Sequence, residues 1–293
     1  MDAEPITNDK LYTLDAALDV AVMREALEPI VAARHESPVR IQEMEVDVLR
    51  RRNKRCVVRY RMRLANGNAE VLKPFNLIGK VFKEGRGEPV YEDMESLWDA
   101  GLARRQGEAV SMPQALTFLP DLCLLVQEEV PGLAIKDALR MNPSPHYMRQ
   151  VAQALIKLHG CGFVPRENFR MREHLSRCHP KYPFLQLACP DLEDDIDHIV
   201  NRAIEIESHH SEEILTAIHG DFHMGQMHVD GERIFLIDFD ALAHGDPAAD
   251  LGNLLVFLKG KAKKMDGVPQ LIDALLDEYF QHMDSSIGDR IPL

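Results

Sequence analysis

The segment His219-Gly220-Asp221-Phe222-His223-Met224-Gly225-Gln226 concentrates groups able to move protons or hold a cation. Shortly after it, the apolar run Ile234-Phe235-Leu236-Ile237 ends in Asp238, followed by Phe239 and Asp240. A carboxylate at the end of four apolar residues is expensive to bury without a partner, so Asp238 is expected to have one. Between the two segments, Asp230-Gly231 is a strong hairpin signal, because both residue types tolerate positive φ. A turn centred on that pair places residue 226 near 235 and brings 238 opposite 223. The expected ribbon therefore gathers Asp221, Gln226 and Asp238 at its open end. Two carboxylates and an amide oxygen form an all-oxygen site that suits Mg2+ bound together with phosphate oxygens. Phosphoryl transfer asks for little more: one Asp orients the attacking hydroxyl and takes its proton, while the metal offsets charge on the transferred group.

The elements that must position these residues fall into a strand-rich first part and a helical second part. Apolar residues at helical spacing between Leu14 and Arg34 predict a leading helix or two. From Val48 to Leu64 there are eight basic residues and no acidic one, and Val58, Tyr60, Met62 and Leu64 alternate with Arg59, Arg61 and Arg63. That alternation predicts a half-buried strand with a cationic outer face, closed by a turn at Asn66-Gly67-Asn68. A short strand over Leu77–Phe82 leads into a helix carrying Tyr91, Met94, Leu97 and Trp98, and another strand covers Leu122–Val126. Ser144 and Pro145 predict a helix start, and Gly160 its end. Helical patterns recur over Asp191–Glu207 and Leu271–Tyr279. The expected division is 1–132 for the first lobe and 133–293 for the second.

The strings HGDFHMGQ, LIDFD and GDPAADLG, in this order, resemble the catalytic core of the aminoglycoside phosphotransferase and choline kinase-like family. The resemblance implies a bilobal, protein-kinase-like α+β fold, ATP and Mg2+ as cofactors, and a small hydroxylated substrate. It implies Asp221 as catalytic base, Asp238 as the chelating Asp, and Gln226 where the family usually has a metal-binding Asn. Asp250 corresponds to a residue that braces the catalytic loop, and His219 is likewise structural. Lys80, on the face of a short strand shared with Ile78 and Phe82, corresponds to the kinase lysine that grips the α- and β-phosphates and pairs with a glutamate on the next helix. Glu95 is the first candidate for that partner, from a helical wheel that turns it inward between Tyr91 and Trp98, and Glu92 is the second. The stretch Gln127-Glu128-Glu129-Val130-Pro131-Gly132 resembles the adenine-gripping connection, with the Glu128 carbonyl and Val130 amide as contacts.

Two features depart from the family pattern. The basic stretch Arg50–Arg55, expected as the loop between the first two strands, contains no glycine, so a backbone phosphate cradle is not expected and side-chain contacts would replace it. Gln226 is one methylene longer than Asn, which leaves a nucleotide-binding pseudoenzyme as an alternative. A metal-dependent phosphohydrolase built on His219, Asp221, His223 and His228 is a further one. A protein kinase is disfavoured, because Asp238-Phe239-Asp240 runs almost directly into Gly245-Asp246-Pro247 and leaves no room for an activation segment.

The net charge of −13 argues against a general nucleic-acid surface. Five cysteines without a C-x-x-C pair, and an acidic start through Asp2, Glu4, Asp9 and Asp15, lead us to expect a cytoplasmic protein without a membrane span. The acidic run Asp191, Glu193, Asp194, Asp195 and Asp197 is expected to be a solvated helix face.

Overall fold

The computed structural model describes residues 11–35, 38–52, 54–66, 71–171, 174–175, 182–208, 215–261 and 265–291. The chain divides into two compact units, Met1–Trp98 with Pro113–Val130, and Asp99–Met112 with Pro131–Leu293. Asp99–Met112, which the sequence assigns to the first lobe, is thus part of the second unit.

The first unit opens with helices α1 (Leu14–Leu18) and α2 (Val20–Ala32). Asp19 separates and caps them, its Oδ1 accepting from the backbone of Ala21 at 2.8 Å and Val22 at 3.0 Å. Strands β1 (Val39–Arg52), β2 (Arg55–Asn66) and β3 (Val71–Phe82) follow, then helix α3 (Gly87–Leu97). The two-residue strand β4 (Val110–Ser111) lies in the second unit, and β5 (Ala115–Leu119) and β6 (Leu124–Glu128) return to the first. The sheet is antiparallel, in the order β1-β2-β3-β6-β5.

The alternation along β2 does what its pattern predicts. Cys56, Val58, Tyr60, Met62 and Leu64 are all buried and join Met23, Leu27 and Val31 of α2 in one core. Tyr60 donates its hydroxyl to the Ala17 carbonyl at 2.9 Å, and burial pushes its pKa up. On the opposite face, Arg59, Arg61 and Arg63 lie across from Asp47, Glu45 and Glu43 of β1. The expected loop Arg50–Arg55 is not one: β1 continues to Arg52, which pairs with Arg55 of β2, so five of its residues belong to or adjoin a strand ladder. Asn53, and the expected turn beyond Asn66, lie outside the described residues.

In the second unit, β7 (Leu133–Ala134) leads into α4 (Ile135–Met141) and α5 (Pro145–His159). Ser144 caps α5 as expected, accepting from His146 at 3.3 Å. Further along are α6 (Tyr182–Ala188), α7 (Glu193–Ser208), β8 (Thr216–Ile218), β9 (Met227–Asp230), β10 (Arg233–Leu236) and β11 (Ala243–Gly245). Helices α8 (Ala248–Lys261) and α9 (Val268–Phe280) close the unit. The pair β8-β11 brackets the stretch from Ile218 to Ala243, which itself carries β9 and β10 of a sheet in the order β4-β10-β9-β7. Among the described residues, no helix is long and apolar enough to cross a membrane.

Candidate active site

The ribbon β9-β10 exists, but its register differs from the one expected. Asp230 pairs with Arg233, so Gly231 and Glu232 form the two-residue loop. Gly231 takes the positive φ, at 60°, in the first central position, where a single glycine suffices; the Asp-Gly pair is not the centre. The backbone of Gln226 consequently faces Ile237, whose amide donates to the Gln226 carbonyl at 2.9 Å.

The three site residues are nevertheless brought together. The amide nitrogen of Gln226 donates to Asp221 Oδ2 at 3.2 Å and to Asp238 Oδ2 at 3.3 Å. Gln226 is buried, whereas the Asp221 side chain is 56% exposed and thus open to a reactant. Asp238 adopts a left-handed conformation, φ 71°, which non-glycine residues rarely take unless the surrounding structure holds them there.

The loop that presents Asp221 is held from below by Asp250 near the start of α8. This carboxylate, 1% exposed, accepts from the backbone of His219 at 2.7 Å and of Gly220 at 3.0 Å. It also lies 3.2 Å from His159 Nε2. A carboxylate only accepts here, so His159 donates through Nε2 and accepts at Nδ1 the hydrogen bond of the Tyr279 hydroxyl, 2.8 Å away. Burial, with Asp250 and Asp246 nearby, pushes the Tyr279 pKa up and keeps that hydroxyl a donor. Gly220 has φ 76°, and a Cβ there would lie 2.1 Å from the Ala241 carbonyl oxygen, so only glycine fits. On the far side, His219 donates through Nε2 to the Ile237 carbonyl at 2.9 Å, tying the loop to the segment that carries Asp238. Asn253 of α8 donates to the Phe222 carbonyl at 3.0 Å.

His223 is the other polar group facing Asp221. Its Nδ1 accepts from the Gly225 amide at 2.9 Å, which leaves Nε2 directed 3.8 Å from Asp221 Oδ2. Burial lowers its pKa, against the opposing pull of Asp221. Its ring lies 4.9 Å from that of Phe257. With His219 and His223 committed to these contacts, the nitrogen-rich metal cluster does not form. Among the described residues, no three His, Cys, Asp or Glu side chains gather as a metal site.

In the first unit, Lys80 is buried on the sheet face opposite the α1-α2 core, between Val57 of β2 and Leu125 of β6 in register. Glu95 does not turn inward. The buried stripe of α3 runs through Gly87, Asp93, Met94 and Leu97, which sets Glu95 about 100° away from Met94. Glu95 is exposed, and its bond to Tyr91, after burial, helps raise that hydroxyl to about 12. Glu92 is half-buried, and Asp93, absent from the sequence reading, is buried. A wheel centred between Met94 and Leu97, rather than on the aromatic residues, would have turned Asp93 inward and Glu95 outward. Strand β6 ends at Glu128, two residues later than expected, and Glu129 to Gly132 form an irregular connection. The Glu128 side chain is bound to Arg34 at 2.5 Å.

His159, Tyr279 and Asn253 were not identified from sequence. They reach the loop across 91, 120 and 31 positions of chain, counted to their bonded partners, and no local spacing announces such contacts.

Comparison with known proteins bears on this arrangement. Among curated sequences no protein matches the chain. Among solved structures, an amicoumacin kinase in complex with AMP-PNP, Ca2+ and Ami is similar, with TM-score 0.59 and 14% identity over 96% of this chain and 85% of that one. A choline/ethanolamine kinase family protein from Mesorhizobium loti has TM-score 0.57 and 17% identity, covering 95% of this chain and 78% of that one. A choline kinase from Streptococcus pneumoniae has TM-score 0.56 and 17% identity, covering 92% and 84%. At these identities the likeness establishes the protein-kinase-like α+β fold. A sequence profile of the phosphotransferase enzyme family matches residues 96–286, well over half of the chain and including the loop, the ribbon and the Asp250 brace. With fold and sequence agreeing over these elements, the chain belongs to the phosphotransferase enzyme family.

Proposed function

We propose that this protein transfers the γ-phosphoryl group of ATP to a hydroxyl of a small molecule, with Asp221 as the base. The observation that carries the proposal is the Gln226 amide, which reaches Asp221 and Asp238 at 3.2 and 3.3 Å. Around a six-coordinate Mg2+ with ligands at about 2.1 Å, neighbouring oxygens lie about 3 Å apart. The donor set therefore fits such an ion once the amide turns its oxygen toward the carboxylates. Asp238 and Gln226 would hold it, and when bound it would offset negative charge developing on the transferred group.

Asp221, exposed at the loop tip, accepts the hydrogen bond of the acceptor hydroxyl, aligns its oxygen in line and takes its proton. The new oxygen–phosphorus bond forms as the bond to the departing ADP oxygen breaks. Lys80 grips the α- and β-phosphates, with Glu92 carried forward as its acidic partner. The Glu128 carbonyl and Val130 amide receive the adenine edge. His219 and Asp250 hold the loop so that Asp221 keeps its orientation. The AMP-PNP complex of the amicoumacin kinase supports ATP as the donor.

The test is a coupled ADP-release screen over hydroxylated metabolites, with calorimetric ATP binding measured alongside. We expect turnover with at least one acceptor, and Asp221→Ala should lose it while still binding ATP. Retained turnover in Asp221→Ala would refute the base assignment. A second reading, a nucleotide-binding pseudoenzyme, is favoured by the Gln226 amide nitrogen facing both carboxylates. It predicts ATP binding in the same calorimetry without turnover on any acceptor.

A further inference from the structure

The two edges of the sheet in the first unit differ. At one edge, β5 is five residues long and packs against α3. At the other, β1 runs for 14 residues, and among the described residues it forms a ladder with β2 alone. From Val48 to Arg52 every β1 residue is exposed, including the large apolar side chains of Val48 at 49% and Leu49 at 45%. A long exposed edge offers backbone groups to any chain that can pair with it, and charges ordinarily blunt such an edge. Charges of a single sign would do so by repelling a second copy. On β1 the sign changes midway: Glu43, Glu45 and Asp47 precede Val48 and Leu49, and Arg50, Arg51 and Arg52 follow.

That order is a mirror of acid and base about Val48-Leu49, and a bulge lets it act. Two antiparallel copies related by a two-fold axis perpendicular to the sheet keep each residue on its own face, so only residues of one face can meet. In an unbroken strand the odd-numbered acids would share no face with Arg50 and Arg52. The register with β2 slips between Val48 and Arg50, which removes this obstacle. Arg61, Arg59, Val57 and Arg55 occupy one face of β2 at every second position, and they pair with Glu45, Asp47, Arg50 and Arg52. Residues paired across a ladder project on the same face, so these β1 residues share one face, opposite the α1-α2 core. An antiparallel copy of β1 then sets Asp47 against Arg50 of the second copy and Glu45 against Arg52 of the second copy, each twice by symmetry. Val48 and Leu49 meet Leu49 and Val48 at the axis.

We infer that β1 is a self-association edge whose occupant is a second copy of this chain, paired antiparallel about Val48-Leu49. The inference is independent of what the protein catalyses. The backbone of the edge supplies the ladder, Val48 and Leu49 leave water at its centre, and the acid–arginine pairs fix the register. Glu45 and Asp47 already pair with Arg61 of their own chain, at 2.9 and 2.8 Å, and a carboxylate can accept from more than one guanidinium. Residues 45–52 are fewer than the roughly 20–30 residues a side of a standard interface, so the association belongs at about the micromolar end of the range.

The test is sedimentation velocity on the full chain over a concentration series, for the wild type, Glu45→Arg, Arg52→Glu and an equimolar mixture of the two variants. We expect a wild-type monomer–dimer equilibrium that weakens with added salt. Each single variant reverses its charge pair twice by symmetry and should raise the dissociation constant at least about tenfold. In the mixture the new arginine of one variant faces the new glutamate of the other, and the remaining pair is native, so a dimer of near wild-type affinity should return. Neither chain changes on mixing, so this recovery also guards against a folding artefact. Asp47→Arg and Arg50→Asp, mixed in the same way, replace any variant whose circular dichroism shows misfolding. A wild type that stays monomeric at concentrations well above micromolar would overturn the inference. So would a dimer that the single variants leave intact, or one that mixing fails to restore, because its contact would then lie elsewhere.

Discussion

Asp250→Asn alters a single buried side chain without changing its shape, and its consequences can be worked out from the contacts of the carboxylate. Asp250 accepts from the amides of His219 and Gly220 at 2.7 and 3.0 Å and from His159 at 3.2 Å. Asparagine offers one acceptor oxygen; at the Oδ2 position it keeps the His219 and His159 bonds in weaker, uncharged form, and its amide then meets the Gly220 N–H donor against donor. Hydrogen bonds to a charged group contribute about 1.5–3 kcal/mol each, which puts the net loss at about 2–4 kcal/mol. Against a typical stability of about 5–15 kcal/mol, the protein should still fold. Trp98, the only tryptophan, belongs to the first unit, so its fluorescence reports the wrong part of the chain. Urea unfolding should therefore be followed by far-UV circular dichroism, together with hydrogen exchange at the His219 and Gly220 amides. We expect a lower urea midpoint, faster exchange at both amides, and kcat reduced about 100-fold with little change in the KM for ATP, because a loosened loop misorients Asp221. An unchanged midpoint with unchanged exchange would refute the bracing role.

Two further outcomes follow from ion pairs in the second unit. Arg290 binds Asp246 through Nε at 2.6 Å and Nη2 at 3.2 Å, both side chains being little exposed, and Arg290→Ala should cost about 3 kcal/mol in urea unfolding; a cost below about 0.5 kcal/mol would assign the pair no structural role. Glu108 is held below the usual carboxylate range by its hydrogen bond to Lys157, so its contribution to stability is present above pH 4.5 and is lost as the pH falls through its lowered folded value. Glu108→Gln should accordingly flatten the acid limb of the melting temperature against pH, and a variant whose acid limb matches the wild type would contradict this.

Much of the candidate site was legible because it is local. Asp221, Gln226 and Asp238 lie within eighteen consecutive residues, and an apolar run ending in an aspartate marks a strand leaving the core whatever the exact turn. That is why the site survived a wrong turn centre: moving the register changed which backbone groups face each other, but not which end of the ribbon the three side chains share. The strict alternation of Val58 to Leu64 likewise predicted one buried face of β2, since side chains on a strand must alternate.

Other features depended on comparisons the linear order does not contain. Glu95 was misplaced because a helix wheel has no absolute zero; the packing of Gly87, Met94 and Leu97 against the sheet sets the phase, and one position of error is 100°. The sequence by itself determined the residue types able to hold an ion and move a proton, and the periodicities that make strands and helices of their supports. Only the tertiary structure decided that Asp250 meets His159, and His159 in turn Tyr279, beneath the loop. The physical reason is that periodicity is a property of neighbours in the chain, whereas register and burial are settled between segments whose separation in sequence carries no energy of its own.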